Sequence, residues 1–487
     1  MRFSELLAEA GVDGVHRRGE ADVQRVVTDS RKAQEGDCFV AVRGTATDGH
    51  RYIASAVAAG CTAVVCEDAA AVRPRVAHAV VPDSARAVGP VAQAIAGWPA
   101  RKLTVVGVTG TNGKTTFTYL LHHILKSSGK KAALLGTIAY DTIAASAPAG
   151  TTTPDPLQLA EMMADMVRAG GTHLVMEVSS HALDQGRTAG VDFDVGVFTN
   201  LSGDHLDYHG TMANYLAAKR RLFESLPAAA RAVVNRDSRY AEQIASATAA
   251  PVLWYGLSPA ADVYARIERI EPSGSSFFLV HAGREAGVQL QLIGRHNVAN
   301  ALAAAAAAIA LGVDLEAIAR ALGEVRYVPG RLQRVAFAGP FDVMVDYAHT
   351  DDALDNVLSA LRPLTDGKLI LVFGCGGDRD RSKRPRMAGV AEKRADRIIV
   401  TSDNPRSEDP AAIIEEVMAG FSERARGQVQ VEPDRRSAIA AAVASAGKGD
   451  VVLIAGKGHE NYQVIGDRRI HFDDVEIAAE LLGQAGT

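Results

Sequence analysis

The sequence predicts an α/β protein built from three successive units, and three observations predict it. A β-branched apolar run over residues 103–109 breaks into a glycine turn, and helical spacing begins at Lys114. That is the layout of a strand feeding a phosphate cradle. Apolar strand-like runs then alternate with helical segments, again after residue 132 and again over 341–455, which argues for parallel sheets covered by helices. The length, 487 residues, suits about three domains. Boundaries are expected at Trp98-Pro-Ala100 and Pro329-Gly-Arg-Leu332, giving units of 1–100, 101–332 and 333–487.

The first unit reads as a small α/β fold. Strands are expected over 38–42 and 61–66, with a short helix over 52–59 between them. The polar stretches Thr28-Asp-Ser-Arg31 and Arg43–His50 fall in loops, where binding groups concentrate; ordinary turn chemistry accounts for them equally well.

The second unit opens on Gly110-Thr-Asn-Gly-Lys-Thr-Thr116. Backbone N–H groups and a helix N-terminus would face an anion there, Lys114 would add a point charge, and Thr115 could hold Mg²⁺. The general phosphate-loop spacing asks for glycine where Val108 stands. Further strands are expected over 132–137, 172–178 and 195–199, with helices over 157–168, 214–223 and 297–311 and short strands over 251–293. Glu177 and His205 lie at the C-terminal ends of two of these strands, where ligands of parallel sheets lie, so both are candidate Mg²⁺ ligands. Lys219 sits mid-helix and by position alone reads as a solvated face residue.

The third unit repeats the alternation, with strands over 341–346, 369–374, 397–401, 429–431 and 451–455 and helices over 353–361, 385–393, 410–422 and 436–445. It reads as a second doubly wound sheet. Four of its strands end in polar clusters: Asp346-Tyr-Ala-His349, Gly374–Asp380, Ser402–Arg406 and Gly456-Lys-Gly-His-Glu460. Polar clusters gathered along one sheet edge point to a substrate site.

Composition excludes several classes. With 47% hydrophobic and 22% charged residues and a net charge of −5, nothing favours nucleic acid or an anionic membrane surface. Cys38, Cys61, Cys66 and Cys375 form no close pair of metal-ligand spacing and no disulfide framework, which fits a reducing cytoplasm. The N-terminus lacks the apolar core of a secretory signal, and the Ala-rich 299–311 run is too short to span a bilayer.

Taken together, the motifs resemble the Mur ligases over essentially the whole chain. The resemblance rests on Gly110–Thr116, Glu177-Val-Ser-Ser-His181, Thr199–Gly210, Ala218-Lys219, His296-Asn-Val-Ala-Asn300, Pro329-Gly-Arg331, Asp346-Tyr-Ala-His-Thr350 and Asp403-Asn-Pro-Arg406. The glycine turn that misses the general spacing fits this family's own variant. One departure is Asp351, where the family usually has proline.

The resemblance implies a UDP-binding N-terminal domain, a central P-loop-type ATPase domain with a parallel sheet, and a Rossmann-like C-terminal domain. It implies an ATP-dependent acid–amino-acid ligase of peptidoglycan precursor synthesis. This enzyme would add meso-diaminopimelate to the D-Glu side chain of UDP-N-acetylmuramoyl-L-Ala-D-Glu through an acyl phosphate. By residue, it implies UDP contacts from Thr28, Ser30, Thr45, Ala46 and Thr47. ATP would be held by Gly110, Thr111, Asn112, Gly113, Lys114, Thr115 and Thr116, with Asn297, Arg331 and Asp346 at the nucleotide. Thr151, Thr152, Thr153, Ser179, Gln185 and Arg187 would contact the muramoyl-dipeptide. Thr115, Glu177, His205 and a carbamate on Lys219 would serve Mg²⁺, with Lys114, Glu177, His205 and Lys219 forming the catalytic set. Arg379, Asp403, Asn404, Pro405, Arg406, Gly456 and Glu460 would hold the amine substrate.

Arg406 supplies the fork that a distal carboxylate needs. Lysine lacks that carboxylate, so an L-lysine-adding enzyme is the weaker reading. The remainder of the basic run 379–386 is expected to be a solvated face. Folylpolyglutamate synthases share the ATP core but should lack the first unit. A non-catalytic nucleotide-binding regulator is disfavoured because Thr115, Glu177, His205 and Lys219 are all present. A monomer is expected.

Overall fold

The computed structural model describes residues 1–12, 16–44, 47–72 and 76–485. Thr45 and Ala46, two expected UDP contacts, lie outside the described residues.

Three main sheets follow one another along the chain. The first has five strands, in the order Arg17–Arg18, Ala77–Val80, Ala63–Cys66, Asp37–Val40, Arg25–Val27. All but Arg17–Arg18 run parallel. The strands Asp37–Val40 and Ala63–Cys66 are buried along their length, as parallel strands covered on both faces must be. A helix that sequence patterning hides, Ser84–Ile95, carries Pro90 in its interior. Gly-Pro pairs ordinarily punctuate turns. Here Gly89 instead lets the helix backbone press onto a loop of the central unit: a Cβ at Gly89 would lie 2.0 Å from the Ala189 carbonyl oxygen.

The central sheet has eleven strands. Its middle is parallel, in the order Val252–Gly256, Arg231–Asn235, Val195–Phe198, Thr104–Thr109, His173–Glu177, Ala132–Leu135. It continues beyond that parallel centre at both edges. Ala139–Asp141 and Ser146–Pro148 add antiparallel strands at one side. At the other side the expected short strands of 251–293 include an antiparallel meander of nine, eight and seven residues, Val263–Glu271, Gly274–His281 and Arg284–Leu290. The meander alternates buried and exposed side chains, so its buried face closes over the Ala-rich helix Arg295–Ala310 and the helix Leu315–Glu324. Alanine suits that helix because eleven of its sixteen residues are buried and must pack closely on several sides.

The third sheet has six strands, in the order Gln333–Arg334, Asp342–Asp346, Val451–Ala455, Leu369–Phe373, Arg397–Val400, Gln430–Val431. Every pairing is parallel except that of Gln333–Arg334. Beneath it, Arg435 and Asp474 form a wholly buried ion pair, with Nε–Oδ1 at 2.8 Å and Nη2–Oδ2 at 2.7 Å. Arg435 also donates to the Ala455 carbonyl at 3.0 Å, which anchors the end of a central strand. A separate hairpin, Tyr462–Ile465 with Arg468–His471, lies outside the sheet. Among the described residues no helix is long and apolar enough to cross a membrane.

Candidate functional site

The central parallel strands end at one rim, and the strand Thr104–Thr109 is flanked there by His173–Glu177 and Val195–Phe198. The chain turns at Gly110 and Gly113, with φ of 155° and 88°, and enters the helix Lys114–Ser127. Space explains both glycines. A Cβ at Gly110 would meet Thr199 Oγ1 at 1.9 Å, and one at Gly113 would meet Asn300 Oδ1 at 2.3 Å. Val108 is still inside the strand and fully buried, so the turn is made by the four residues after Thr109.

Above this turn lies a cavity of about 660 Å³. Among the expected residues, Thr111–Thr116, Thr152, Glu177, Ser179, His205, Lys219, Asn297, Arg331 and Asp346 line it. Lys114 Nζ donates to the carbonyls of Gly110 at 2.8 Å and Thr111 at 2.9 Å. Lys219 is not on a solvated face. It is 1% exposed in the helix Met212–Glu224, and its Nζ donates to the same Gly110 carbonyl at 2.8 Å. Burial first, and the Lys114 charge second, push its amine well below the ordinary lysine value. Tyr215 lies beneath it, with the ring centroid 4.4 Å from Nζ.

Glu177 is 1% exposed, and its carboxylate accepts from Thr137 N at 2.9 Å and Thr137 Oγ1 at 3.0 Å. Thr115 Oγ1 lies 3.0 Å from Arg331 Nη2. His205 caps the short helix Leu206–His209 with φ 54° and sits edge-on to His181, ring centroids 4.9 Å apart. Among the described residues no three His, Cys, Asp or Glu side chains form a metal cage by themselves. Mg²⁺ characteristically takes one or two carboxylates and completes its octahedron with water and phosphate oxygens. Glu177 and the Thr115 hydroxyl offer such a partial set on the cavity wall, so the donor chemistry fits.

Several expected contact residues are engaged in shaping loops. Asp346 spends both carboxylate oxygens on backbone, accepting from Leu332 N at 2.7 Å and Ala348 N at 2.8 Å. Asn297 donates to the Ile293 carbonyl at 2.9 Å. Thr153 is fully buried; its hydroxyl donates to the Glu177 carbonyl and accepts from Ser179 N. Thr151 Oγ1 donates to the Thr153 carbonyl at 2.9 Å. Arg187 reaches both Gln185 Oε1, at 2.7 Å, and the Thr153 carbonyl, at 3.2 Å. Thr28 and Thr47 are exposed and Ser30 is half-buried, all in the first unit and away from this cavity's lining.

The C-terminal unit reaches the same cavity. Asp352 accepts from Asn112 Nδ2 and Ser202 Oγ, both at 2.8 Å. Asp351, the position departing from the family pattern, pairs with Arg386 at 3.2 Å.

The polar clusters at the C-terminal ends of this unit's strands form a second group. Asp403 and Asn404 are buried beside Gly456, where a Cβ would stand 2.6 Å from Asp403 Oδ2. Asn404 Nδ2 donates to Glu460 at 2.7 Å. Pro405 is buried, and a Cβ at Gly377 would meet its carbonyl oxygen at 1.9 Å. Arg406, with φ 52°, donates from Nη1 to the Gly377 carbonyl at 2.7 Å. Arg379 is exposed nearby.

Sequence reasoning missed three charged residues here. Lys457 is fully buried, with Nζ 3.2 Å from Glu460 and 3.9 Å from Asp403. Two more correct the expectation of a solvated face for the basic run: Lys383 is 9% exposed and Arg384 not at all. Arg384 bridges Glu408 at 2.9 Å and Glu416 at 2.7 Å. These partners lie 24 and 32 residues further along the chain, so no local pattern could reveal the burial. For Lys457, its place between two glycines at a strand end was the available signal.

The fold and the cavity define a nucleotide-dependent α/β enzyme of three units. The chain belongs to the Mur ligase family. Family models match in order along it: "Mur ligase family, catalytic domain" over 22–96, "Mur ligase middle domain" over 108–308 and "Mur ligase, glutamate ligase domain" over 330–458. A relative from Geobacillus kaustophilus, named UDP-N-acetylmuramoyl-L-alanyl-D-glutamate–2,6-diaminopimelate ligase, is 44% identical with both chains fully covered. One of the same name from Gloeobacter violaceus is 44% identical over 99% of this chain and 98% of its own. A solved structure of a protein with that name matches at 35% identity, TM-score 0.69 and 96% of each chain. MurF ligase from Thermotoga maritima, solved with ADP, shares the fold at 20% identity, TM-score 0.61, covering 95% of this chain and 97% of its own.

Proposed function

We propose that this chain uses ATP to join an amino group of meso-diaminopimelate to the D-Glu side-chain carboxylate of UDP-N-acetylmuramoyl-L-Ala-D-Glu. The observation that carries the reading is the Asp403–Arg406 loop set against Gly456 and Glu460, in a chain whose full-length relatives bear that enzyme's name. The three units divide the work, with 1–100 holding the UDP end through Thr28, Ser30 and 45–47, 101–332 holding ATP and the dipeptide, and 333–487 holding the amine.

The chemistry follows from where charge develops. Backbone N–H groups of 110–116 and the start of the helix Lys114–Ser127 receive the phosphates, and Lys114 neutralises the transferred group. Thr115, Glu177, His205 and a carbamylated Lys219 would hold Mg²⁺, which when bound offsets phosphate charge. The D-Glu carboxylate takes the γ-phosphoryl group, giving an acyl phosphate and ADP. The free amine then attacks the acyl carbon and loses a proton, and phosphate leaves with the electrons of the broken C–O bond. Arg331, 3.0 Å from Thr115 Oγ1, brings a cation to the nucleotide side. Closing the C-terminal unit over the cavity excludes the water that would hydrolyse the acyl phosphate.

At the amine site Arg406 takes the distal carboxylate of the substrate, while Asp403 and Glu460 take its distal ammonium. Arg379, Asn404 and the backbone around Pro405 and Gly456 complete the walls.

The test is product identification by mass spectrometry. The nucleotide tripeptide should form only when ATP, Mg²⁺, the UDP-dipeptide and meso-diaminopimelate are all supplied, with one ADP per product. Folded protein that binds ATP yet forms no product with any amine would instead mark a nucleotide-binding regulator.

A further inference from the structure

The hairpin Tyr462–Ile465 with Arg468–His471 belongs to no larger sheet. Two-stranded hairpins are marginal alone in water, so its order comes from what it touches. It is stitched to the Asp403–Arg406 loop at four points. Gln463 Nε2 donates to the Asp403 carbonyl at 2.6 Å. Val464 N donates to Asn404 Oδ1 at 2.9 Å. Arg406 N donates to the Val464 carbonyl at 3.1 Å, and Gly466 N to the Arg406 carbonyl at 2.7 Å.

These bonds have a conformational consequence. Arg406 sits at φ 52°, a region that a side-chain-bearing residue keeps only when its surroundings impose it. Both backbone groups of Arg406 are held by the hairpin, while its Nη1 donates to the Gly377 carbonyl. The Asn404 side chain is likewise oriented, with Oδ1 receiving Val464 N and Nδ2 thereby turned toward Glu460. Gln463 is 6% exposed, so its bond to Asp403 is sheltered from competing water.

We infer that this hairpin is the positioning element of the amine site, with Gln463 as the positioning residue that sets the Asp403–Arg406 loop for a substrate bearing a distal carboxylate. The inference rests on the proposed reading of that loop as the amine-holding one. Gln463 acts through Asp403 and does not itself need to touch the substrate.

Steady-state kinetics of Gln463→Leu, varying each substrate in turn, test it. The expected result is a rise of at least tenfold in KM for meso-diaminopimelate, with KM for ATP and for the UDP-dipeptide within twofold of wild type. A Gly466→Val variant, whose new side chain meets open space but cannot keep φ 57° without strain, should give the same split if Gln463→Leu does not fold. Equal changes in all three KM values, or a fall in kcat alone, would reduce the hairpin to general structural support and overturn the inference. Wild-type protein that fails to use meso-diaminopimelate would instead sink the proposed function itself.

Discussion

Lys114 and Lys219 donate to one carbonyl oxygen, that of Gly110, each at 2.8 Å. Burial is the main cost of charging either amine, and the Lys114 ammonium further repels that of Lys219. Both amines are lowered, Lys219 well below the ordinary value. A neutral amine is the form that adds CO₂, losing a proton as the carbamate forms. The resulting anion would turn that repulsion into attraction. We therefore expect depletion of dissolved CO₂ to lower activity reversibly, and falling pH to do the same because the protonated amine cannot hold CO₂. Lys219→Ala should lower kcat about 10²–10³-fold. Isotope-labelled bicarbonate should give a carbamate carbon resonance in wild type and none in the variant. Full activity in CO₂-free buffer would exclude the carbamate.

The contact between Gly89 and Ala189 gives a second expectation. A methyl group at Gly89 cannot share space with a carbonyl oxygen 2.0 Å away, so Gly89→Ala must shift the first unit against the loop that follows Arg187. Displacements of about 1 Å at a positioning element can cost up to about 10²-fold. KM for the UDP-dipeptide should rise about tenfold while KM for meso-diaminopimelate stays put. An unchanged UDP-dipeptide KM would show that this contact does not position that substrate.

Stability should fall in mild acid. Burial holds His349 at about 4 and His459 at about 3, both below the ordinary 6.5. His349 faces Lys383, Asp204 and Arg331; His459 faces Arg331, His349 and Lys457. Between pH 6.5 and 4 the unfolded chain therefore binds more protons than the folded one, and stability drops as pH falls through that window. Carboxylates act lower: Glu416, held at about 2 mainly by its hydrogen bond from Arg381, contributes below its usual 4.5. Urea midpoints measured across the upper window should decline toward acid, and His459→Gln should flatten the slope. A flat wild-type profile would contradict this.

Much of the architecture was legible because it is written locally. The run of 103–109, its glycine turn and the helix from Lys114 follow one another within a few residues, and each carries its own periodicity. The same holds for the strand–helix alternation after Asp342. What stayed hidden depends on distant partners. Lys219 is set apart from a surface lysine by its burial and by partners such as the Gly110 carbonyl, 109 residues away. Arg384 needed Glu408 and Glu416. The helix Ser84–Ile95 was masked by its Gly89-Pro90 pair, whose purpose appears only when Ala189 is set against it. The loop Asp403–Arg406 could be read from a motif, whereas Gln463 could not, because it meets that loop through a single bond to a backbone carbonyl.

The most direct test of the account is amine-dependent ADP release with UDP-N-acetylmuramoyl-L-Ala-D-Glu, ATP and Mg²⁺. It would compare meso-diaminopimelate with L-lysine in wild type and Arg406→Ala. A site that pairs a polar group can reject the analogue lacking it by about 10⁴-fold, so wild type should prefer meso-diaminopimelate by about that factor and Arg406→Ala should lose most of the preference. Equal use of L-lysine by wild type would contradict the assigned amine.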